Sequence, residues 1–276
     1  MNFKSKNKKA AVAAIAAALL LFAGCAKENK SEDGVLKVGA SPSPHAELLE
    51  VVKPILEKQG IKLEIQEFSD YILPNEALEN KELDANFFQH EPYLKDFNEK
   101  NGTHLESLGK IHFEAMGIYS QSITALDQLK KGAKIGVPSD TTNEARALQL
   151  LAAQGLIELK KGVGLEATIK DIDKNPLELE FVEMEAAALP RSLADVDAAV
   201  INGNYALKGD VIDSLILSED ADSEAAETFA NVVAVRKGDD RKELKALVKA
   251  LQGEEVRQYI EENYKTVFHA SDSAAK

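Results

Sequence analysis

The 276-residue sequence contains a single cysteine, Cys25. One thiol excludes a disulfide within the chain and a metal site built from several cysteines. The five histidines form no HxH, HExxH or histidine-rich motif, so no metal site is predicted. GxSxG, P-loop and GxGxxG motifs are also missing. The sequence therefore predicts neither an enzyme nor a bound cofactor.

Positive charge is scarce: 33 lysines and arginines stand against 46 acidic residues, for a net charge of −13. The first nine residues hold four of those lysines, so the rest of the chain is more acidic still. Such a body repels phosphate backbones and anionic lipids, which excludes nucleic acid as a partner and membrane attachment by charge. The length and the apolar content of 45% predict roughly two domains with sizeable cores.

The long apolar run of the sequence lies at its start, over Ala10–Phe22, after the four lysines. As a helix it would span about 20 Å, short of the roughly 30 Å of a bilayer core. Residues 1–24 are therefore predicted to be an export signal. Cys25 follows in LFAGC, which resembles a bacterial lipobox, so we expect it to carry lipid, with several acyl chains needed for stable anchoring. An ordinary signal with a coincidental cysteine is the alternative.

Polar, charged residues 25–34 predict a flexible tether, and the folded body is expected from Val35. Short β-rich runs then alternate with helical periods, which predicts an α/β fold with mainly parallel sheets. The predicted strands are Leu36–Ala40, Ile61–Phe68, Ala85–Phe88, Lys134–Val137, Leu177–Val182, Ala198–Asn202 and Asn231–Val235. The predicted helices are Ala46–Lys58, with a kink or restart at Pro54, and Glu91–Asn101, Asn143–Ala153 and Glu243–Gln252.

A weak internal repeat relates residues 36–61 to residues 133–157. Each copy is a strand, a turn rich in Pro, Ser, Asp or Thr, and a helix that ends at glycine. Two similar α/β lobes with a cleft between them are what a hinged ligand trap requires. Each turn also precedes a helix N-terminus, which suits a carboxylate ligand but is equally explained by capping alone.

An aromatic segment at 69–94 contains Tyr71, Phe87, Phe88, His90 and Tyr93. On a strand Phe87 and Phe88 point to opposite faces, so one is expected in the core and the other across the sheet. The aromatic residues either line a cleft or simply fill the core.

Four polar residues further along the chain are candidates for binding the charged head of a ligand. Arg146 lies one turn inside a helix N-terminus, where its charge opposes the helix dipole. It is expected either to clamp a carboxylate, with Asn143 on the same face, or to be solvated. Asn202 and Asn231 lie at strand ends, where an amide can bind either end of a zwitterion or, for Asn202, form a turn.

The segments DYILPNEAL (70–78), DANFFQHEPYL (84–94), GVGLEATIKDIDKNP (162–176), LPRSL (189–193) and VINGNYA (200–206) resemble the NlpA-type lipoproteins. The similarity extends from about Leu36 to about Phe268. It implies a bilobal periplasmic-binding-protein fold with two crossing segments at the hinge. We expect lobe I at 35–117 and 231–276, and lobe II at 118–230.

The resemblance also implies a lipid-anchored methionine receptor on the extracytoplasmic side of the cell membrane, serving an ABC permease and its cytoplasmic ATPase. In that family the thioether tail lies among aromatic residues and the zwitterionic head is held by Arg and Asn groups. The matching positions here are Tyr71, Phe88, His90 and Tyr93 for the tail, and Asn143, Arg146, Asn202 and Asn231 for the head. D-methionine, a methionine-containing dipeptide, a surface adhesin and a surface enzyme remain alternatives.

Overall fold

The computed structural model describes residues 34–269, and the unit described below begins at Val35. The predicted export signal, the lipid-accepting Cys25 and almost all of the predicted tether lie outside the described residues. Within the described part, no helix combines the length and the apolar character that crossing a bilayer requires.

Thirteen strands and nine α-helices are described in this unit, together with a helical turn at Pro42–Ala46 and several short 3₁₀ turns. The strands are β1 Val35–Ala40, β2 Lys62–Glu67, β3 Ala85–His90, β4 Leu105–Glu114, β5 Gly117–Tyr119, β6 Lys134–Pro138, β7 Glu158–Leu159, β8 Ile172–Lys174, β9 Glu180–Met184, β10 Ala198–Ile201, β11 Leu215–Ser218, β12 Asn231–Arg236 and β13 Val267–His269. The helices are α1 Glu47–Glu57, α2 Leu73–Glu79, α3 Glu91–Asn101, α4 Thr141–Ala153, α5 Leu189–Ser192, α6 Gly203–Lys208, α7 Glu224–Thr228, α8 Lys242–Leu251 and α9 Glu254–Asn263.

Two larger sheets organise the unit. One has the order β13-β4-β12-β3-β1-β2 and the other the order β11-β5-β10-β6-β9. Each sheet contains two parallel pairings, and its remaining pairings are antiparallel. The expectation of mainly parallel sheets was therefore wrong. The antiparallel strands β4, β5, β11 and β12 flank the two passages of the chain between the sheets. The sequence pattern predicted β12, at Asn231–Val235, but not β4, β5 or β11.

The internal repeat corresponds to equivalent parts of the two sheets. β1 with α1 and β6 with α4 are the two strand–turn–helix units, and the turns that follow the helices use Gly60 and Gly155 at φ of 76° and 72°. Starting from β2 and β9, both sheets show two parallel and then two antiparallel pairings. The two halves of the unit are thus built on the same plan.

Apolar periodicity explains how the helices cover these sheets. On α8, Leu244, Leu247, Val248 and Leu251 form the predicted buried stripe, and they join the core of the six-stranded sheet. α1 is continuous over Glu47–Glu57, so the restart predicted at Pro54 does not occur. A separate apolar core lies under the five-stranded sheet and includes Ile135, Leu148 and Val200.

The chain passes from the six-stranded to the five-stranded sheet between Glu114 and Gly117, and it returns between Ser218 and Asn231. The carboxyl ends of β3 and β10 each lead into a helix, at His90 and Asn202 respectively. Ligands of open α/β sheets bind outside such carboxyl ends. The fold thereby places the candidate residues close to both passages.

Candidate functional site

One cavity of about 320 Å³ brings together all eight residues predicted from the sequence to bind a ligand. They are Tyr71, Phe88, His90, Tyr93, Asn143, Arg146, Asn202 and Asn231. Residues from both sheets contribute to its walls.

Aromatic rings form one end of the cavity. The ring centroids of Tyr71 and Phe88 are 5.7 Å apart, and those of Tyr71 and Tyr93 are 5.6 Å apart. Phe88 belongs to this cluster, whereas its neighbour Phe87 packs in the core of the six-stranded sheet against His45. The prediction that the two phenylalanines face opposite ways is confirmed.

A buried hydrogen-bond network connects the two sheets at the middle of the cavity. His90 Nδ1 accepts from the backbone N–H of Tyr93 at 3.1 Å, so the proton of the neutral ring lies on Nε2. Nε2 then donates to Asn143 Oδ1 at 3.2 Å, and Asn202 Nδ2 donates to the same oxygen at 2.7 Å. Burial, with a smaller contribution from the charge of Arg146, lowers the pKa of His90 to about 3. The imidazole is therefore neutral at physiological pH.

Asn143 itself is held by Asp140, which caps the N-terminus of α4. Asp140 Oδ1 accepts from the backbone N–H of Asn143 at 3.1 Å and from Asn143 Nδ2 at 2.8 Å. Both polar atoms of the amide are thus engaged. The asparagine orients the site, and Asp140 is the N-cap residue of α4.

Arg146 is buried, with 3% of its surface exposed, and it forms a bidentate ion pair with Glu219. Nε donates to Glu219 Oε1 at 2.9 Å, and Nη2 donates to Glu219 Oε2 at 2.5 Å and to the backbone oxygen of Glu114 at 2.8 Å. The guanidinium carbon lies 4.3 Å from the ring centroid of Phe229. Among the described residues, none accepts a hydrogen bond from Nη1. The bidentate pairing predicted for a ligand carboxylate is made by Glu219 instead. The Nη1 edge of the guanidinium is left for a ligand.

Glu114 lines the cavity and belongs to a second buried cluster with His45 and His112. Its Oε1 lies 3.1 Å from His45 Nε2 and 2.7 Å from His112 Nε2. These residue types also ligate divalent transition metals, and the three ligand atoms lie within 4.8 Å of one another. Burial lowers the pKa of His45 to about 4 and raises the pKa of Glu114. The described contacts are those of two imidazoles that share one carboxylate oxygen.

Asn231 and Asn202 differ in which polar atoms of the side chain are left for a ligand. Asn231 Oδ1 is engaged by His45 Nε2 at 3.0 Å, so this side chain offers its amide donors. Asn202 Oδ1 is buried and has no hydrogen-bond partner among residues 34–269. Since a buried acceptor without a partner is costly, this oxygen is a position for a donor from a ligand.

Sequence reasoning missed several residues of the site. Gln89, Glu114, Gly203 and Asn204 line the cavity, and Glu219 orients Arg146. Glu114 and Glu219 lie where the chain passes between the sheets, and no local motif distinguishes them from the other acidic residues. Asn204 stands in the VINGNYA segment, so its neighbourhood in the sequence was the one available signal.

The two sheets with a cavity between their connected ends define the periplasmic-binding-protein class with its two α/β lobes. The sequence profile of the NlpA lipoprotein family matches residues 36–270. The chain belongs to the NlpA lipoprotein family.

Individual relatives match the sequence of this chain over almost their whole length. The D-methionine-binding lipoprotein MetQ of Salmonella typhimurium is 41% identical, over 93% of this chain and 94% of the relative. The methionine-binding lipoprotein MetQ of Bacillus subtilis is 38% identical, over 91% and 95%. A solved structure of a nutrient-binding protein from Burkholderia cenocepacia, bound to methionine, is 42% identical with a TM-score of 0.80, and the match covers 85% of this chain and 99% of that one.

Proposed function

We propose that this protein captures methionine in the cavity between its two lobes and delivers it to an ABC importer. The observation that carries the proposal is the division of the cavity into an aromatic end and a polar end whose hydrogen-bonding groups are incompletely paired. The similarity to proteins named as methionine-binding and to a methionine-bound structure supports it.

The aromatic end suits the thioether tail. The rings of Tyr71, Phe88 and Tyr93 enclose it, and a sulfur–ring contact contributes about 0.3–1.5 kcal/mol. His90 is neutral and shares its Nε2 proton with Asn143, so it adds no charge near the apolar tail. An unbranched, polarisable side chain is therefore favoured over a charged one.

The polar end offers hydrogen-bond donors for the carboxylate of a zwitterion and an acceptor for its ammonium group. Arg146 Nη1 and the amide donors of Asn231 are available to a carboxylate, while Asn202 Oδ1 is available to an ammonium group. Asn143 supports these groups from behind. Removing a zwitterion from water without such partners costs several kcal/mol, so both ends of the ligand must be matched.

Arg146→Lys tests this assignment by isothermal titration calorimetry with methionine. Lysine retains the charge that pairs with Glu219 but cannot also present a second nitrogen to the ligand. We expect the binding free energy to weaken by at least about 2 kcal/mol. Arg191→Ala, at an exposed arginine outside the cavity, is the matched control and should bind as the unmodified protein does. Unchanged affinity in Arg146→Lys would contradict the role of Arg146.

The proposal extends to attachment and delivery. We propose that Cys25 carries the lipid that anchors the protein on the extracytoplasmic side of the cell membrane, and that an ABC permease driven by a cytoplasmic ATPase receives the ligand. Membership of a lipoprotein family supports the anchor. Metabolic labelling with a radioactive fatty acid tests it: the unmodified chain should be labelled and Cys25→Ala should not.

The boundaries of the lobes follow from the same proposal. Lobe I comprises 35–117 and 231–276, and lobe II comprises 118–230, so that each lobe contains one of the two sheets except for Gly117, the first residue of β5. The protein acts as a binder rather than an enzyme, in line with relatives named for binding. A titration of the purified protein against L-methionine, D-methionine and methionyl dipeptides distinguishes the preferred ligand among these analogues.

A further inference from the structure

A second, larger cavity of about 670 Å³ adjoins the first. The two cavities have Tyr71 and Tyr93 in common, so these two side chains are the partition between them. The second cavity, which we call the outer cavity, is otherwise lined by Asp70, Ile72, Ser139, Asp140, Tyr205 and residues 185–187. It adjoins the aromatic end of the first cavity, where the proposed ligand places its tail.

The Tyr71 ring packs against the rings of Phe88, Tyr93 and Tyr205. Its hydroxyl donates to Asn204 Oδ1 on α6 at 2.5 Å, and its ring centroid lies 4.8 Å from that of Tyr205. The hydroxyl of Tyr93 donates to the backbone oxygen of Tyr71 at 3.1 Å. Because Asn204 and Tyr205 follow the five-stranded sheet and Tyr71 follows the six-stranded one, one hydrogen bond and one ring contact between the two halves hold the Tyr71 ring across the opening.

We propose that the outer cavity is a second subsite, for uncharged S-alkyl groups longer than methyl, and that Tyr71 determines whether the tail of the ligand reaches it. This inference rests on the proposed binding of methionine. With the Tyr71 ring in place, the space for the tail ends at the partition. Without the ring, the two cavities join and a longer tail extends into the outer one.

Calorimetry of the full chain in detergent with three amino acids of increasing tail length tests this proposal. The ligands are L-methionine, L-ethionine and S-butyl-L-homocysteine, which carry methyl, ethyl and butyl groups on sulfur. All three tails are uncharged, so the carboxylates of Asp70 and Asp140 do not bias the comparison. Each additional buried methylene favours binding by about fourfold where space exists, and it gives no gain where space is lacking.

Tyr71→Ala removes one of the two side chains of the partition, and we expect the affinity for the butyl compound relative to methionine to rise at least about tenfold. Asn204→Ala leaves the ring but removes its hydrogen bond, and it should shift the same ratio in the same direction by less. Methionine itself should bind Tyr71→Ala more weakly, because one sulfur–ring contact is lost.

Phe88→Ala is the matched control, because it removes a ring from the inner cavity without opening the partition. It should improve the relative affinity for the ethyl compound but not for the butyl compound. Equal profiles in Tyr71→Ala and Phe88→Ala, or an unchanged butyl-to-methyl ratio in Tyr71→Ala, would overturn the proposal while leaving methionine binding intact. If the unmodified protein binds none of the three amino acids, the proposed function fails as well.

Discussion

At the scale of single residues, the site depends on amides whose two ends have different partners. Asn143 accepts two hydrogen bonds through Oδ1 and donates to Asp140 through Nδ2. The side chain is 1% exposed, so water cannot replace a lost partner. Its orientation is therefore determined by the protein, and it holds His90 and Asn202 in position before any ligand arrives.

Asn143→Asp keeps the size of the side chain and replaces its donor by a charged oxygen facing Asp140. We expect the free energy of unfolding to fall by about 1–3 kcal/mol, since a buried carboxylate then lacks its partner and meets a second acidic group. Urea unfolding measures the change. Asn101→Asp, at an exposed helical asparagine whose amide donates to the backbone oxygen of Phe97, should lose less stability because water can replace that partner. A similar loss in both variants would contradict this account of Asn143.

The buried histidines predict how stability depends on pH. Burial lowers the pKa of His90 from 6.5 to about 3, so between these values the unfolded chain binds a proton that the folded chain does not. Stability from this group is therefore present above pH 6.5 and is lost as the pH falls towards 3. His90→Asn retains a good helix N-cap and removes the titration. Thermal unfolding from pH 7 to pH 4 should show a shallower decline in this variant; an equal or steeper decline would refute the assignment.

The candidate residues could be identified from the sequence because they lie in unusual segments, but their partners could not. Arg146 could be identified because it is a cation near a helix N-terminus, and it lies in the cavity wall. Glu219, which occupies the clamp expected for a ligand, is 73 residues further along the chain. Such a pairing is created by the passage of the chain between two sheets, and local sequence patterns contain no information about it.

At the scale of secondary structure elements, α6 approaches β4 closely enough to require glycine. A Cβ atom on Gly203 would lie 2.9 Å from Glu114 Cβ and 3.3 Å from the backbone oxygen of Ala115. One neighbour is a Cβ atom and the other is a backbone oxygen, so neither can move away by side-chain rotation. This contact places Asn202 and Asn204 beside the cavity.

Gly203→Ala should displace α6 from β4. We expect a loss of about 1–3 kcal/mol in the free energy of unfolding, as for other overpacked sites. Methionine affinity should fall as well, because Asn202 moves with the helix. Denaturant unfolding and calorimetry on the same preparation measure both effects. Wild-type stability together with wild-type affinity would show that α6 and β4 are not in the described contact.

The elements with clear periodicity were predictable and those without it were not. The helix predicted at Glu91–Asn101 is observed with those bounds, and the stripe on α8 is confirmed. β4, β5, β11, α2 and α9 were not predicted at all. β4 begins at the buried Leu105, continues through five residues that are exposed or partly exposed, and is buried again from Ile111, so its sequence lacks one consistent alternation. Its place in the sheet comes from pairing with β12, which is distant in the sequence.

At the scale of the whole molecule, the cavity is completed by groups from both sheets. Tyr71 contacts Asn204, and His90 contacts Asn143, so each pair joins one half of the unit to the other. Arg146 adds contacts to both passages of the chain through Glu114 and Glu219. A ligand that bridges the aromatic and polar ends should therefore strengthen the association of the halves.

Methionine is expected to stabilise the entire fold against heat. At a concentration one hundred times the dissociation constant, the free energy of unfolding should rise by about 2.7 kcal/mol. Differential scanning calorimetry with and without the amino acid measures this shift. Norleucine, which lacks the sulfur, should give a smaller stabilisation at equal concentration, and leucine smaller again. No stabilisation by methionine would argue for an adhesin or an assembly factor.

The ion pair of Arg146 and Glu219 also predicts how ligand binding depends on ionic strength. Because the guanidinium is already neutralised inside the protein, an incoming zwitterion adds equal and opposite charges and leaves the electrostatic balance of the interior unchanged. The surrounding surface, despite its net charge of −13, exerts no net pull on a molecule without net charge. We therefore expect the affinity for the ligand to be nearly the same at low and at high ionic strength.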